Sequence, residues 1–369
     1  MRTLVTGGAG FIGTHLVDRL LADGREVVVL DSLEEQVHGG EPPSLPGDVE
    51  FIRGDVGDPI AADRALAGVD EIVHLGAVVG VGQSMYEIER YVRSNTLATA
   101  TFLERVVALK ERPRRMVVAS SMSIYGEGRY ECPIHGPLAP PPRGDDQLRA
   151  RDWELRCPHC ALELSAAPTA EDKPVQPTSV YAVTKRDHEE LCLVCGAAYG
   201  IPTVALRFFN VYGPGQALSN PYTGVAAIFA SRLMNGMPPL IFEDGRQSRD
   251  FIHVSDIADG IVRALAAEDA PGRAINLGTG VPTDVNTVAA ELAAGLGVDI
   301  EPERSELYRS GDIRHCYADP TLAREVLGFE AKVPFAEGMT DLLGWLREQE
   351  AVDRVATATS ELAARGLTR

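Results

Sequence analysis

A short apolar strand, Thr3-Leu-Val-Thr6, runs directly into Gly7-Gly-Ala-Gly-Phe-Ile-Gly13. A strand, a glycine-spaced turn and then a helical pattern from His15 to Ala22 make the first half of a βαβ unit. The helix N-terminus of such a unit offers unpaired N–H groups to a pyrophosphate. Gly7 permits the tight turn, Gly10 lets the backbone approach the phosphates, and Gly13 lets the helix pack close to the strand. Phe11 and Ile12 belong to the same turn and count with it as cofactor contacts. The next strand, Glu26 to Leu30, ends at Asp31. A carboxylate there accepts bonds from both ribose hydroxyls and repels a 2′-phosphate, so the expected cofactor is NAD rather than NADP. A glycine triplet alone is weak evidence; its place between strand and helix, with Asp31 after it, makes it strong.

Further strands read at 50–52, 71–75, 116–119 and 203–207, separated by helical patterns such as Thr96 to Leu109 and Val183 to Tyr199. Apolar strands alternating with helices mean a parallel sheet with right-handed crossovers, an α/β, Rossmann-like doubly wound fold. The expected organisation is an NAD-binding domain over 1–207 carrying an inserted Cys-rich module at 127–177. A smaller substrate-binding lobe follows over 208–350, with parts returning to the first domain, and then a helical tail, 351–369, with no visible chemistry. Asp55 and Val56 follow the third strand and are placed near the adenine, although a strand-end Asp is as often a loop cap. Leu75 and Ala77 flank Gly76 after the fourth strand, where small residues let the chain pass beneath a cofactor.

The chain has 369 residues and a formal net charge of −18. An acidic surface argues against a nucleic-acid partner, which needs basic stripes. No apolar run is long enough to span a membrane, and no basic, apolar and cleavable leader opens the sequence. A cytoplasmic location is the expectation. Six cysteines in such a length do not make a disulfide scaffold.

Tyr181 and Lys185 form Y-x-x-x-K, one helical turn apart and on one face of a helix. A phenol beside an ammonium can move a proton on and off a hydroxyl while a dinucleotide exchanges hydride. The fifth strand ends Ser120-Ser121-Met122-Ser123-Ile124-Tyr125-Gly126, and Asn95 opens an earlier helix. Together with Leu206-Arg-Phe-Phe-Asn-Val-Tyr-Gly-Pro214, Arg249-Asp-Phe-Ile-His-Val254 and Arg309-Ser-Gly-Asp312, the chain resembles the extended short-chain dehydrogenase/reductase family over residues 1–345. More narrowly it resembles the NAD-dependent nucleotide-sugar epimerases and dehydratases.

The resemblance implies that Tyr181 is the general base and acid, and that Lys185 lowers its pKa and binds the nicotinamide ribose. It implies that Ser121 hydrogen-bonds the reacting sugar oxygen and that Asn95 belongs to the cofactor set. Asn210, Arg249 and Arg309 match diphosphate and nucleotide contacts, with Asp312 orienting Arg309 or touching a ribose. Dehydratases of the family place Asp-Glu directly after the Ser/Thr, and decarboxylases keep a Glu two places on. Met122 and Ser123 stand there, which leaves C4 epimerisation of a nucleotide-diphosphate sugar, with 4-ketosugar reduction as the alternative. The stretch Val79–Tyr86, including Val81, would line the sugar side. With Gln36–Gly39 and the insertion it resembles a bacterial dTDP-L-rhamnose 4-epimerase subgroup. An apolar wall of Val79, Val81, Met85 and Met122 would suit a 6-deoxy sugar. UDP-hexose and UDP-hexuronate remain alternatives.

Within the insertion, Cys132-Pro-Ile-His135 precedes Cys157-Pro-His-Cys160. Two knuckles at this spacing are expected to hold a structural zinc, with His159 as a competing ligand. Cys192 and Cys195 lie in an apolar helical run and read as packing; Cys316 has no visible partner. In the family this helix often packs on a second subunit, so a homodimer is expected.

Overall fold

The structure is a computed structural model that describes all residues except 40–44, 219, 221, 223, 310, 350–352 and 354. Ser310 of the Arg309–Asp312 motif and part of the 351–369 tail therefore lie outside the described residues. In chain order the strands are β1 (Arg2–Thr6), β2 (Glu26–Asp31), β3 (Glu50–Arg53), β4 (Glu71–His74) and β5 (Arg115–Ser121). Then come β6 (Arg129–Cys132), β7 (Gly136–Leu138), β8 (Ser165–Ala167), β9 (Thr203–Phe208), β10 (Asn210–Tyr212), β11 (Leu240–Ile241) and β12 (Ser248–His253). β13 (Ala274–Leu277), β14 (Pro282–Asp284), β15 (Glu303–Arg304) and β16 (His315–Cys316) complete them.

Seven strands form one parallel sheet in the order β13-β9-β5-β4-β1-β2-β3. The fold is Rossmann-like, and the order reverses between β1 and β4. Ligands of such sheets bind beyond the carboxyl ends of the strands at that switch point. Consecutive strand residues feed opposite faces. Val5, Val27, Val29, Val73 and Val117 pack into one core, while Leu4, Val28, Leu30, Ile72, Met116 and Val118 pack into the other. A third core, with Phe229, Phe251, Leu292 and Leu342, holds the smaller lobe together. β13 comes from the second half of the chain yet completes the main sheet beside β9.

Three helix boundaries differ from the sequence reading. The first helix begins at Phe11, not His15, so Gly13 lies inside its first turn. Glycine is a poor helix former, and its presence hid the true start. The Tyr181 helix begins at Val180, where the Ser179 side chain caps it by accepting from the Ala182 N–H at 3.1 Å. The expected helix 96–109 is α-helical only over Ala98–Ala108 and is preceded by a π-helical turn, Val92–Leu97, which contains Asn95. Such turns carry an extra residue and often mark functional sites.

The insertion builds its own three-stranded sheet, β7-β6-β8, over a core of only five buried residues, Tyr130, Cys132, Leu155, Cys157 and Leu164. The tail contains a helix, Val355–Ala364. Its Glu361 ties the tail to the body of the protein, accepting from the Tyr86 hydroxyl at 2.7 Å and the Tyr222 hydroxyl at 3.3 Å.

Candidate active site

The glycine turn is shaped by close backbone approach. Gly7 has φ +68°, and a side chain on it would meet Gly76 Cα at 2.9 Å. A Cβ on Gly13 would lie 2.4 Å from the Gly7 carbonyl oxygen. The turns after β1 and β4 are thus pressed together, and the Thr6 hydroxyl accepts from the Gly76 N–H at 3.2 Å. Gly10 is the N-terminal cap of the first helix. Ile12 packs on the core, and Phe11 meets the His15 ring edge-on at 6.0 Å. Asp31, buried at the end of β2, accepts from the Ala9 N–H at 3.1 Å and the Leu33 N–H at 2.9 Å. This cradle, with no room for a Cβ and a carboxylate fixed beside it, fits a dinucleotide without a 2′-phosphate.

Other residues of the expected cofactor set do different things. Asp55 Oδ1 accepts from the Gly57 N–H at 2.6 Å, the loop-capping geometry, and Val56 packs on the second core. Leu75 and Ala77 are half-buried at the switch point. Asn95 is fully buried. Its Oδ1 accepts from the Val78 N–H at 2.8 Å, and its Nδ2 donates to the Val78 carbonyl at 3.1 Å and to Thr184 Oγ1 at 3.0 Å. It braces the loop after β4 against the helix that carries Tyr181.

Ser121 ends β5 and faces that helix. Burial pushes the Tyr181 phenol up to about 12, opposed by a hydrogen bond from Ser121. Ser121 Oγ also accepts from Ser123 Oγ at 2.9 Å. Burial brings Lys185 down to about 8, with Cys192 and Glu189 opposing. The sequence reading has Lys185 moving Tyr181 toward the working range. In the chain by itself the influences on the phenol are burial and Ser121, and the Lys185 ammonium donates to His188 Nδ1 at 3.5 Å. His188 lies three residues on, on the same helical face, and was not foreseen. Burial, then the Lys185 charge, holds it well below the ordinary histidine range, so it is a neutral acceptor. Its ring stacks on His74 at 5.1 Å. Glu189, the nearby carboxylate, accepts from Arg207 Nη2 at 2.6 Å and Ser120 Oγ at 2.7 Å.

On the other lobe, Arg249 donates to the carbonyls of Ser248, Ile313 and Arg314 and to Asp312 Oδ1 at 3.3 Å. Arg309 grips Asp312 Oδ2 at 2.9 Å. Arg309, Arg249 and Arg143 hold Asp312 below the usual carboxylate range although burial opposes them. Arg309 is the more exposed guanidinium, at 41% against 12% for Arg249. Asn210 Oδ1 is buried with no partner among the described residues, an acceptor left for a ligand donor. Val79 and Val81 are exposed, whereas Met122 is buried.

A family model described as "NAD dependent epimerase/dehydratase family" matches residues 3–144 and 161–278. The chain belongs to the NAD-dependent epimerase/dehydratase family. It is 34% identical to a dTDP-L-rhamnose 4-epimerase of Burkholderia thailandensis, covering 94% of this chain and 95% of that one. It is also 34% identical to a UDP-glucose 4-epimerase of Mycolicibacterium smegmatis, covering 95% and 99%. Among solved structures, MoeE5 in complex with UDP-glucuronic acid and NAD superposes with a TM-score of 0.75 at 32% identity, covering 94% and 99%.

The family model skips residues 145–160, which hold the second cysteine knuckle of this chain. Cys132, His135, Cys157 and Cys160 offer ligand atoms all within 4.8 Å of one another. His135 Nδ1 lies 3.5 Å from Cys132 Sγ and 3.4 Å from Cys157 Sγ; the Cys132 and Cys160 sulfurs are 3.6 Å apart. A tetrahedral zinc has edges of about 3.8 Å between sulfurs and about 3.5 Å between sulfur and nitrogen. Burial raises the Cys132 thiol, yet the N–H groups of Ile134 and His135 and the His135 ring outweigh it and bring it to about 6. These four residues fit a zinc ion. His159 stands outside the cluster, its ring 5.1 Å from that of His135. Cys192 is buried and Cys195 half-buried in the second core. Cys316 is buried beside Thr169 Oγ1 at 3.9 Å.

Proposed function

We propose that this family member is a nucleotide-sugar 4-epimerase using tightly held NAD, acting on a dTDP-6-deoxyhexose such as dTDP-L-rhamnose. The observation that carries the reaction type is the floor around Ser121. Met122 is buried, Ser123 donates its hydroxyl to Ser121, and Glu189 is committed to Arg207 and Ser120. No free carboxylate is placed there among the described residues for eliminating water. Tyr181, Ser121 and Lys185 supply what oxidation and reduction at a carbinol need.

Bound at the glycine turn beside Asp31, NAD supplies a reversible hydride acceptor. Tyr181 takes the proton from the C4 hydroxyl and returns it after the sugar has presented its other face. Ser121 bonds the same oxygen and holds it at the phenol. A proton-free Tyr181 is costly in a buried site, and the positive charge of Lys185 offsets that cost. Near pH 7 Lys185 keeps its proton, since its pKa stays at about 8. Arg309, with Arg249, holds the diphosphate, because a planar guanidinium fork suits phosphate oxygens, and the unpaired Asn210 Oδ1 accepts from a donor elsewhere on the nucleotide sugar. The sugar is gripped less, which lets it turn over.

The deoxysugar preference rests on the exposed Val79 and Val81 and on the similarity to the Burkholderia enzyme. A C6 methyl leaves no polar group unpaired against valines. The cysteine cluster holds a structural zinc, since the redox scheme needs no Lewis acid. The protein works as a homodimer, with exposed Leu97, Val183 and Val194 on neighbouring helices as the apolar surface to be covered. No described helix is long and apolar enough to cross a membrane, and we place the enzyme in the cytoplasm.

The test is incubation with UDP-, dTDP- and GDP-linked sugars, without added cofactor, followed by proton NMR for the C4 epimer. Conversion of dTDP-L-rhamnose with NAD retained by the protein is expected. Comparable turnover of UDP-galactose would overturn the deoxysugar assignment, and a requirement for stoichiometric reductant would overturn epimerisation.

A further inference from the structure

The inserted module grips the same short segment that carries the substrate arginines' anchor. Its two hairpins each place one side chain there, close to a metal-ligand position. On the first, Tyr130 lies two residues before Cys132. Its hydroxyl donates to Glu127 Oε2 at 2.9 Å and accepts from the His315 N–H at 3.2 Å, and Glu127 accepts from the Arg314 N–H at 2.9 Å. On the second, Glu154 lies three residues before Cys157, at the base of a hairpin closed by Leu164 N–H to Leu155 carbonyl at 2.9 Å. Glu154 accepts from Arg314 Nη2 at 2.5 Å and meets His315 Nε2 at 3.1 Å.

Arg314 is fully buried. Its guanidinium is shared by Glu154 from the module and by Glu243 and Asp244 from the smaller lobe, so removing the Glu154 charge leaves Arg314 paired but cuts its tie to the second hairpin. Arg143, between the hairpins, donates to the Asp312 carbonyl at 3.2 Å and the Trp153 carbonyl at 3.1 Å. On the other side of this segment Asp312 holds Arg309 and Arg249, and Arg249 also donates to the Ile313 and Arg314 carbonyls.

We propose that the Cys132/His135/Cys157/Cys160 zinc site sets substrate affinity, with Glu154, Arg143 and Arg314 as positioning residues. Zinc fixes the two hairpins to each other, the hairpins clamp residues 312–315, and the clamp fixes the direction in which Arg249 and Arg309 point. The inference rests on reading Arg309 and Arg249 as diphosphate contacts. The module touches neither the glycine turn nor Asp31 through any of these bonds, so the cofactor should be indifferent to it.

The test uses the full-length holoenzyme and the variant Glu154→Gln. Four quantities are measured: KM and kcat for the nucleotide sugar, the dissociation constant of dTDP by calorimetry, and bound NAD by absorbance after denaturation. The expected result is KM and the dTDP dissociation constant both raised about tenfold, kcat within about twofold, and NAD content unchanged, the pattern of lost uniform binding. Removing zinc by chelation from the native enzyme should give the same pattern, and zinc should reverse it. If Glu154→Gln does not accumulate folded, Arg143→Lys and the chelated native enzyme decide. Unchanged KM and dTDP affinity, or kcat and NAD content falling together, overturns the proposal. The control is Arg309→Ala. If it leaves dTDP binding intact, the diphosphate reading itself fails; if it weakens binding while Glu154→Gln and chelation do not, only the coupling fails.

Discussion

The turn at Gly7–Gly13 and the insertion at 127–177 hold their shapes by opposite means. The turn sits on a sheet with buried cores on both faces, and its geometry follows from backbone surfaces in contact: Gly7 against Gly76, Gly13 against the Gly7 carbonyl. The insertion buries only five residues in its own core. That is too little apolar surface to order some fifty residues against their conformational entropy. It relies instead on a thiol and imidazole cluster at one end and a network of buried charge at the other. A site that needs a fixed cradle for its cofactor draws on packing, and a region added beside it draws on clustered polar side chains and ion pairs.

Changes at the carboxyl end of the central strands should therefore be severe and those at the insertion selective. Tyr181→Phe removes the proton carrier and should lower turnover by roughly three orders of magnitude, the middle of the range for general acid–base groups. NAD content should be unchanged, and kcat with a cofactor assay checks both. Gly13→Ala forces a Cβ into backbone. It should destabilise the protein by about 3 kcal/mol and lose NAD, read by urea denaturation and absorbance. Equal NAD retention would break the contrast, because it would show that the cradle tolerates a side chain.

Cys157→Ser should reduce the zinc content to a small fraction of one ion per chain by elemental analysis. It should also open residues 133–163 to limited proteolysis while the sheet's unfolding transition shifts only slightly. Loss of the whole fold in this variant would show that the insertion is part of the core rather than an addition to it. The smallest effect concerns pH. Folded Lys185 releases its proton at about 8, against 10.5 for the ordinary side chain. The unfolded chain thus binds more protons between those values, and stability from this group rises with pH across that window. Lys185→Met should flatten that rise in melting temperature from pH 8 to 10.5 and leave the profile below pH 7 parallel to the native one.

How far the site is legible in the chain depends on whether a residue acts through local spacing or through a distant neighbour. The turn, Asp31 at the end of β2 and the Y-x-x-x-K pair are spaced by helix and strand geometry, and a single chain displays them. The cluster of Cys132, His135, Cys157 and Cys160 is also visible as two knuckles. Other features have no local signal. His188 reads as one more polar residue until folding stacks it on His74 and sets it beside Lys185. Asn95 becomes a brace only because a π-helical turn faces it toward Val78 and Thr184. Glu361 and Tyr86 meet across 275 positions, and no periodicity links them. The early start of the first helix was masked by the glycines that let it pack.

What the sequence determined by itself is the alternation of apolar strands and helices, the glycine cradle and the identity of the groups that can carry protons, because these depend on neighbours within a helical turn or one βαβ unit. The tertiary structure alone decided which charges meet. Arg314 is one arginine among many in the chain, and it becomes a buried anchor only when Glu154 and the adjacent pair Glu243 and Asp244 converge on it from two separate segments. A buried charge must find its partners wherever the fold brings them, and that distance in sequence carries no pattern to read.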